Sequence, residues 1–179
     1  PERSLPMVES SWGNFVFDSN AGWAQGGYSS TTQSWMWKRH SGLDVVCYEG
    51  NGTAGLTVKH SMNAVPEMMW VKNREKAADW TVYHKDLTNI GYYLKLNATN
   101  QQAYAAEAVW NNTAPTSTQF TLGTSTDLNE SGSGHIAILF SSVSKISKVG
   151  SYTGSDSDQT ITLGFQPRFL IVKAYNQAY

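Results

Sequence analysis

Short stretches of alternating apolar and polar positions recur along the chain, and two of them sit in a shared longer frame. Residues 48–72 read YEGNGTAGLTVKHSMNAVPEMMWVK and residues 152–173 read YTGSDSDQTITLGFQPRFLIVK. Each opens on Tyr-x-Gly, passes a polar tip and then alternates, through Leu56, Val58 and His60 in one and Ile161, Leu163 and Phe165 in the other. Each then reaches a proline, an apolar run and a lysine, with the same step from Pro66 to Lys72 as from Pro167 to Lys173. The tips differ by about three residues, a length change that surface turns tolerate. Proline ahead of an apolar run suits a strand's first residue, where no ladder N–H is needed. Both frames are therefore expected to be β-hairpins, two related ribbons within one β-domain. Their spacing of about a hundred residues is too long for a solenoid repeat.

The remaining pattern predicts further strands. Residues 14–18 make a short candidate strand closed by Asp18, Ser19 and Asn20, and residues 34–39 place Trp35 and Trp37 on one face. Residues 43–48, 80–84, 91–96 and 119–123 read as strands, and residues 108–110 as a short one. The run HIAILFS at 135–141 is continuously apolar, as a central strand covered on both faces would be. Residues 97–107 are Ala-rich without a helical apolar stripe, so a short helix is the lesser reading there. Residues 20–33, which hold Trp23 and Tyr28, and residues 127–134 read as loops. About ten short strands at intervals of roughly 8–15 residues, with no helical period, predict an all-β fold, a β-sandwich of jelly-roll-like form. No composition shift marks a linker. Residues 1–179 are read as one β-domain, with 1–33 an N-terminal extension and loop and 34–179 the main sandwich.

Composition supports that reading and removes some functions. Seven Trp and nine Tyr, with abundant Gly, Ser, Thr and Asn, suit strands and turns and argue against disorder. Charged residues are 15% of the chain and the net charge is -1, so no basic footprint for nucleic acid or anionic membrane is expected. No apolar run approaches the roughly 18 residues of a membrane-spanning helix. Cys47 is the single cysteine, which excludes an intrachain disulfide and leaves stability to packing and contacts between copies. The first residues, Pro-Glu-Arg-Ser, carry neither a starting Met nor a signal peptide, and the end falls just after the second frame. The chain is read as a piece of a longer polypeptide.

Catalytic and cofactor signatures are sparse. There is no nucleophile elbow, P-loop, dinucleotide fingerprint or paired-histidine zinc motif. His60 and His84 fall at expected strand ends, where convergence as an acid/base pair competes with a plain structural role. Glu67, Asp79 and Glu107 are the acids available for glycoside cleavage, but no local pattern brings two of them to the needed separation of roughly 5–10 Å. Asp156, Asp158 and Gln159 offer oxygen ligands for calcium without EF-hand spacing, and a solvated turn accounts for them. No cofactor and no metal are expected. Trp12, Trp23 and Trp110 sit in loop-like or edge surroundings, as stacking platforms for sugar would, and Tyr28 shares the loop of Trp23 as a candidate contact for a partner, whereas Trp35, Trp37, Trp70 and Trp80 lie in strands. Met68 and Met69, with Met62 nearby, suit a protein contact as well as a core. Sequons at Asn51, Asn97, Asn111 and Asn129 are read mainly as turn chemistry.

An ordered set of short motifs spans residues 34–173. It includes Trp37-Lys38-Arg39, a Gly-x-Asp-Val-Val-x-Tyr-x-Gly element from Gly42 to Gly50, Val58-x-His60, and Val65-Pro66-Glu67-Met68. It continues through Trp70-Val71-Lys72-Asn73-Arg74, Asp79-Trp80-x-Val82-Tyr83-His84, Tyr93-Leu94-x-Leu96-Asn97 and Trp110-Asn111-x-Thr113-Ala114-Pro115-Thr116. Phe120-Thr121-Leu122-Gly123 and Gly150-Ser151-Tyr152-Thr153-Gly154 close the set. It resembles a module of unknown function in structural proteins of marine tailed phages, cyanophages in particular. Leu43, where an aromatic is common, and His40 after the Lys-Arg pair depart from that pattern. The resemblance implies a virion component, in a fibre, tail or capsid decoration, without an established catalytic role. The weakly charged, aromatic-rich chain is then expected to assemble with other virion proteins and copies of itself, with host-surface glycan binding as a secondary role. A carbohydrate-binding module or polysaccharide-degrading adhesin is the alternative expectation.

Overall fold

The computed structural model describes residues 42–177, so the expected strands at 14–18 and 34–39, and with them Trp12, Trp23 and Tyr28, lie outside the described residues. The described elements run β1 (Leu43–Glu49), β2 (Leu56–Lys59), β3 (Met68–Asn73), β4 (Thr81–His84), β5 (Tyr92–Lys95), β6 (Ala103–Tyr104), α1 (Ala106–Val109), β7 (Gln119–Leu122), α2 (Thr126–Asn129) and β8 (Gly134–Phe140). All pairings between these strands are antiparallel. They build a six-stranded sheet in the order β1-β8-β3-β4-β5-β6 and a two-stranded sheet of β2 and β7. The chain is all-β.

Period-two alternation along β3 divides the interior into two cores. Met69 and Val71 point one way, joining Tyr83, Ala137 and Leu139 of the large sheet to Val58, Phe120 and Leu122 of the small one. Val109, Trp110 and Leu128, brought in by the single-turn helices, close that core. Trp70 points the other way and packs with Val82, Leu87 and Leu94. Each fully buried side chain of this size contributes roughly 1.5–3 kcal/mol, so the layer between the sheets is the main source of stability.

The two frames do not form hairpins. In the first, β2 pairs with β7 while β3 pairs with β4 and β8, so consecutive strands belong to different sheets. The physical reason is coverage. Val58 must lie over the face of the large sheet that Met69 and Val71 present, and the eight-residue crossing at 60–67 carries the chain between layers. In the second, residues 152–173 contain no strand at all. Strand-like sequence forms a strand only where a partner edge and a packing surface exist, and among the described residues no strand pairs with 152–173.

Three smaller expectations also change. Residues 108–110 end α1 instead of forming a strand; the Val109 N–H donates to Ala105 O at 3.1 Å. Part of the expected loop at 127–134 is α2, where the Asn129 N–H donates to Ser125 O at 2.7 Å. β8 is central in its sheet, between β1 and β3, but buried on one face and half-buried on the other. The small sheet covers Ala137 and Leu139, whereas Ile136 and Ile138 face away from it.

Candidate functional site

The first frame is fastened at three points. Tyr48 donates from its hydroxyl to Leu128 O at 2.7 Å and stacks on the buried His135, with ring centroids 5.2 Å apart and an interplanar angle of 11°. Burial pushes the Tyr48 phenol far above its usual pKa, so the hydroxyl stays a donor. Asn129, fully buried, accepts from the Asn51 N–H at 2.8 Å and donates to Thr53 O at 2.9 Å and Gly123 O at 2.7 Å. Its amide thus fixes the polar tip onto the end of β7. Gly50 is the third point, where a Cβ would meet Glu130 O at 2.3 Å. At the far end the buried Lys72 ammonium donates to Lys76 O at 3.2 Å and Ala78 O at 2.8 Å, holding the loop that turns into β4.

The second frame has few of these attachments. Tyr152 is exposed, and a Cβ on Gly154 would meet nothing within 4 Å. In the apolar run, Leu170 is 69%, Ile171 38% and Val172 57% exposed. A water-facing run of this kind marks an interaction surface more often than a neutral detail. The run is anchored just beyond its end. Lys173 Nζ donates to Ala98 O at 2.6 Å, and Tyr175 O accepts from the Gln102 N–H at 2.7 Å. Because the Ala105 N–H donates inward to Gly91 O, the Gln102 N–H points away from β5. Residues 173–175 therefore lie along the outer edge of β6.

The opposite edge of the large sheet is β1. Gly50 N–H bonds to Ser133 O and Ser141 N–H to Gly42 O, so even-numbered residues of β1 face β8. Leu43, Val45, Cys47 and Glu49 direct their backbone groups outward. Among the described residues no strand pairs with this edge. The Val45 N–H turns to Asp44 Oδ1 at 2.9 Å, and Asp44 also accepts from the Ser61 N–H and hydroxyl, which covers the start of the edge. Val45 and Cys47 are exposed.

Beside the tail anchor lies a half-open cleft of about 290 Å³, lined by Tyr93, Lys95, Asn100, Gln101, Gln102 and Ala103. Asp79 pairs with Lys95 at 2.6 Å and accepts from Asn97 at 2.8 Å. The Lys95 hydrogen bond, then that of Asn97, holds the Asp79 carboxyl below its usual range, and Asp79 in turn raises Lys95. A carboxylate held ionised in this way is a poor proton donor. Glu67 binds Lys85 at 2.8 Å and the Ser142 backbone N–H at 2.7 Å. Burial pushes its pKa up, but the bonds from Lys85 and Ser142 together hold it below the usual value. Glu67 and Asp79 flank opposite ends of β4 and Glu107 lies in α1, so these three acids sit on separate parts of the fold.

Other candidates read from the sequence are placed as follows. Trp110 is fully buried, edge-on to Tyr83 at 5.8 Å, with its indole N–H donating to Tyr92 O at 3.2 Å. Its ring is a core element and is closed to sugar, because α1 turns it inward. Met69 is likewise fully buried, whereas Met68 is half-buried beside the second core. His84 Nδ1 accepts from the Asp86 N–H, and His60 pairs with Thr116 O and the Met62 N–H, so each ring serves its own turn. Asp156, Asp158 and Gln159 lie exposed in a turn closed by Ser155 and Ser157. Among the described residues, no group of three His, Cys, Asp or Glu is placed to hold a metal ion. The cleft was missed because residues 97–107 lack periodicity; their run of Asn and Gln was the available signal.

Residues 11–179 match the family described as a domain of unknown function, DUF7483. The chain belongs to that family. No curated protein and no solved structure matches it. In this DUF7483 chain the two sheet edges and the cleft are candidate sites among the described residues.

Proposed function

We propose that the chain is a non-enzymatic structural component of a tailed-phage virion, in a fibre, tail or capsid decoration, that works by packing against neighbouring protein. The observation that carries this reading is the water-facing run Leu170, Ile171 and Val172, which repeats in sequence the central strand β3. Assembly would cover it, as protein contacts cover apolar and aromatic surface. The resemblance to phage structural modules points the same way. Antibody labelling of purified particles from a phage encoding this chain tests the proposal. Label on the particle is expected, with loss of incorporation for a Leu170→Asp/Val172→Asp chain; particles without the chain would refute it.

A second reading, a saccharide-binding module, rests on the cleft at Tyr93. A tyrosine ring, side-chain amides and a neutralised Asp79–Lys95 pair suit the hydroxyls of a neutral sugar better than a charged ligand. A glycan array separates the two, since this reading requires binding that Tyr93→Ala abolishes.

A further inference from the structure

The exposed run has the sequence of a central strand and needs an edge to join. Among the described residues the large sheet offers one in β1, seven residues long, with outward backbone groups at Leu43, Val45, Cys47 and Glu49, of which the Val45 N–H already bonds Asp44 Oδ1. The outward positions carry neither Lys nor Pro, the residues that commonly guard an edge. The other end of the sheet, β6, is two residues long and already takes the tail anchor at Gln102. In the small sheet both strands have four residues. By length, β1 is the better template.

The run cannot reach β1 of its own chain. Residues 173–175 are held at β6, and β1 lies five strand spacings away, roughly 24 Å across the sheet. Residues 170–172 extend at most about 10 Å from Lys173 at the rise of an extended chain. A second copy has no such restriction: its β1 can be placed beside the tail of the first. This step rests on the assembly reading above and adds the identity of the partner and of its edge.

We infer that the run from Leu170 to Val172 of one copy adds as a strand to the outer edge of β1 in a second copy. Backbone pairing on the outward groups supplies the ladder, as in other strand-addition contacts, and Leu170 and Val172 leave water together on one face. The two surfaces that meet are different parts of the chain, so the contact is heterologous. Without a closing rotation, such contacts continue from copy to copy as an open row. Each copy would use its β1 edge on one side and its tail on the other, making one sheet that runs through successive copies.

Light scattering across a concentration series, joined to cysteine cross-linking, tests this. Wild-type protein should show masses rising beyond a dimer, and Leu170→Asp/Val172→Asp should remain a monomer with unchanged circular dichroism. Cys47→Pro removes an outward N–H while leaving the ladder to β8 intact, and should also give a monomer. Single cysteines placed at 170, 171 or 172 should form disulfides with native Cys47 of another copy under oxidant. At least one should give a ladder of trimers and longer species, abolished by Cys47→Ser. A wild-type monomer at high concentration, a closed dimer, or a ladder absent from all three positions would overturn the inference. Growth that persists in Cys47→Pro would overturn the choice of β1. Either result leaves the virion reading to particle labelling, so the two fail separately.

Discussion

Residues 48–72 and 152–173 carry the same pattern and meet different fates. Met69 and Val71 in the first are fully buried between two sheets, while their counterparts Leu170 and Val172 face water. Tyr48 stacks on His135 and donates to Leu128 O, whereas Tyr152 is exposed. Gly50 is pressed against the Glu130 carbonyl, and Gly154 stands in open space. Nothing within the two frames accounts for the contrast. What differs is company: β3 has β8 on one side and β4 on the other, and a second layer over Met69. A strand's sequence is permission to join a sheet, and the join is made by its neighbours.

Paired substitutions measure how far this goes. The largest difference is expected for Met69→Ala against Leu170→Ala. The first leaves a cavity under β2–β7 and should cost about 2–5 kcal/mol. The second should stay within about 0.5 kcal/mol in the monomer. Urea unfolding followed by tryptophan fluorescence checks both, and equal costs would mean that the second frame is packed after all. Next comes Gly50→Ala against Gly154→Ala. A methyl at Gly50 would have to displace the Glu130 carbonyl, at a cost of about 1–3 kcal/mol, while Gly154 should tolerate it. Thermal melts of the two variants give this comparison directly.

The lysines that end the frames differ by less. Lys72 is buried and binds two carbonyls of the β3–β4 loop, and Lys173 binds one at Ala98. Lys72→Ala leaves the half-buried Lys76 and Ala78 carbonyls short of a donor and should cost about 1–3 kcal/mol. Lys173→Ala should leave unfolding nearly unchanged and instead speed hydrogen exchange at the Gln102 amide, as the tail lifts from β6. Slow exchange there in the variant would show that the tail is held by something other than this bond.

Strand positions were readable because alternation is local, and β1, β4, β5, β7 and β8 lie within a residue or two of where it put them. Partners were not readable. The same Leu56-x-Val58 alternation serves a hairpin or a second layer, and the choice depends on Phe120 and Leu122, some sixty residues away. Trp110 was misread for a similar reason. Its surroundings in sequence are polar, but one turn of α1 aims it at Tyr83. Asn129, which looked like a sequon in a loop, is a fully buried anchor for the tip at 51–53, and nothing in its immediate neighbours announces that. Of the candidate site, the apolar run at 169–172 was visible, but its exposure was not.

The smallest expected effect concerns acid, and it falls on the first frame, since residues 152–173 contain no histidine. His135 is fully buried, bonds through Nδ1 to Ser133 O at 2.9 Å, and has no hydrogen-bond partner at Nε2 among the described residues. Burial holds its pKa below the usual value, against the opposing pull of Ser133 O, and burial lowers His84 likewise. In the unfolded chain both titrate near 6.5. Between that value and the lower folded one, the unfolded state binds more protons, so stability rises with pH there. The contribution is complete above about pH 6.5 and is lost as pH falls through the folded values; Asp79 and Glu67, whose folded pKa values are depressed, add their losses only below about pH 4.5. His135→Gln should therefore shrink the fall in urea midpoint between pH 7.5 and 5.5, leaving the share due to His84. An unchanged fall would mean that the Tyr48–His135 stack accommodates the proton, and that the anchoring of the first frame is insensitive to charge at its centre.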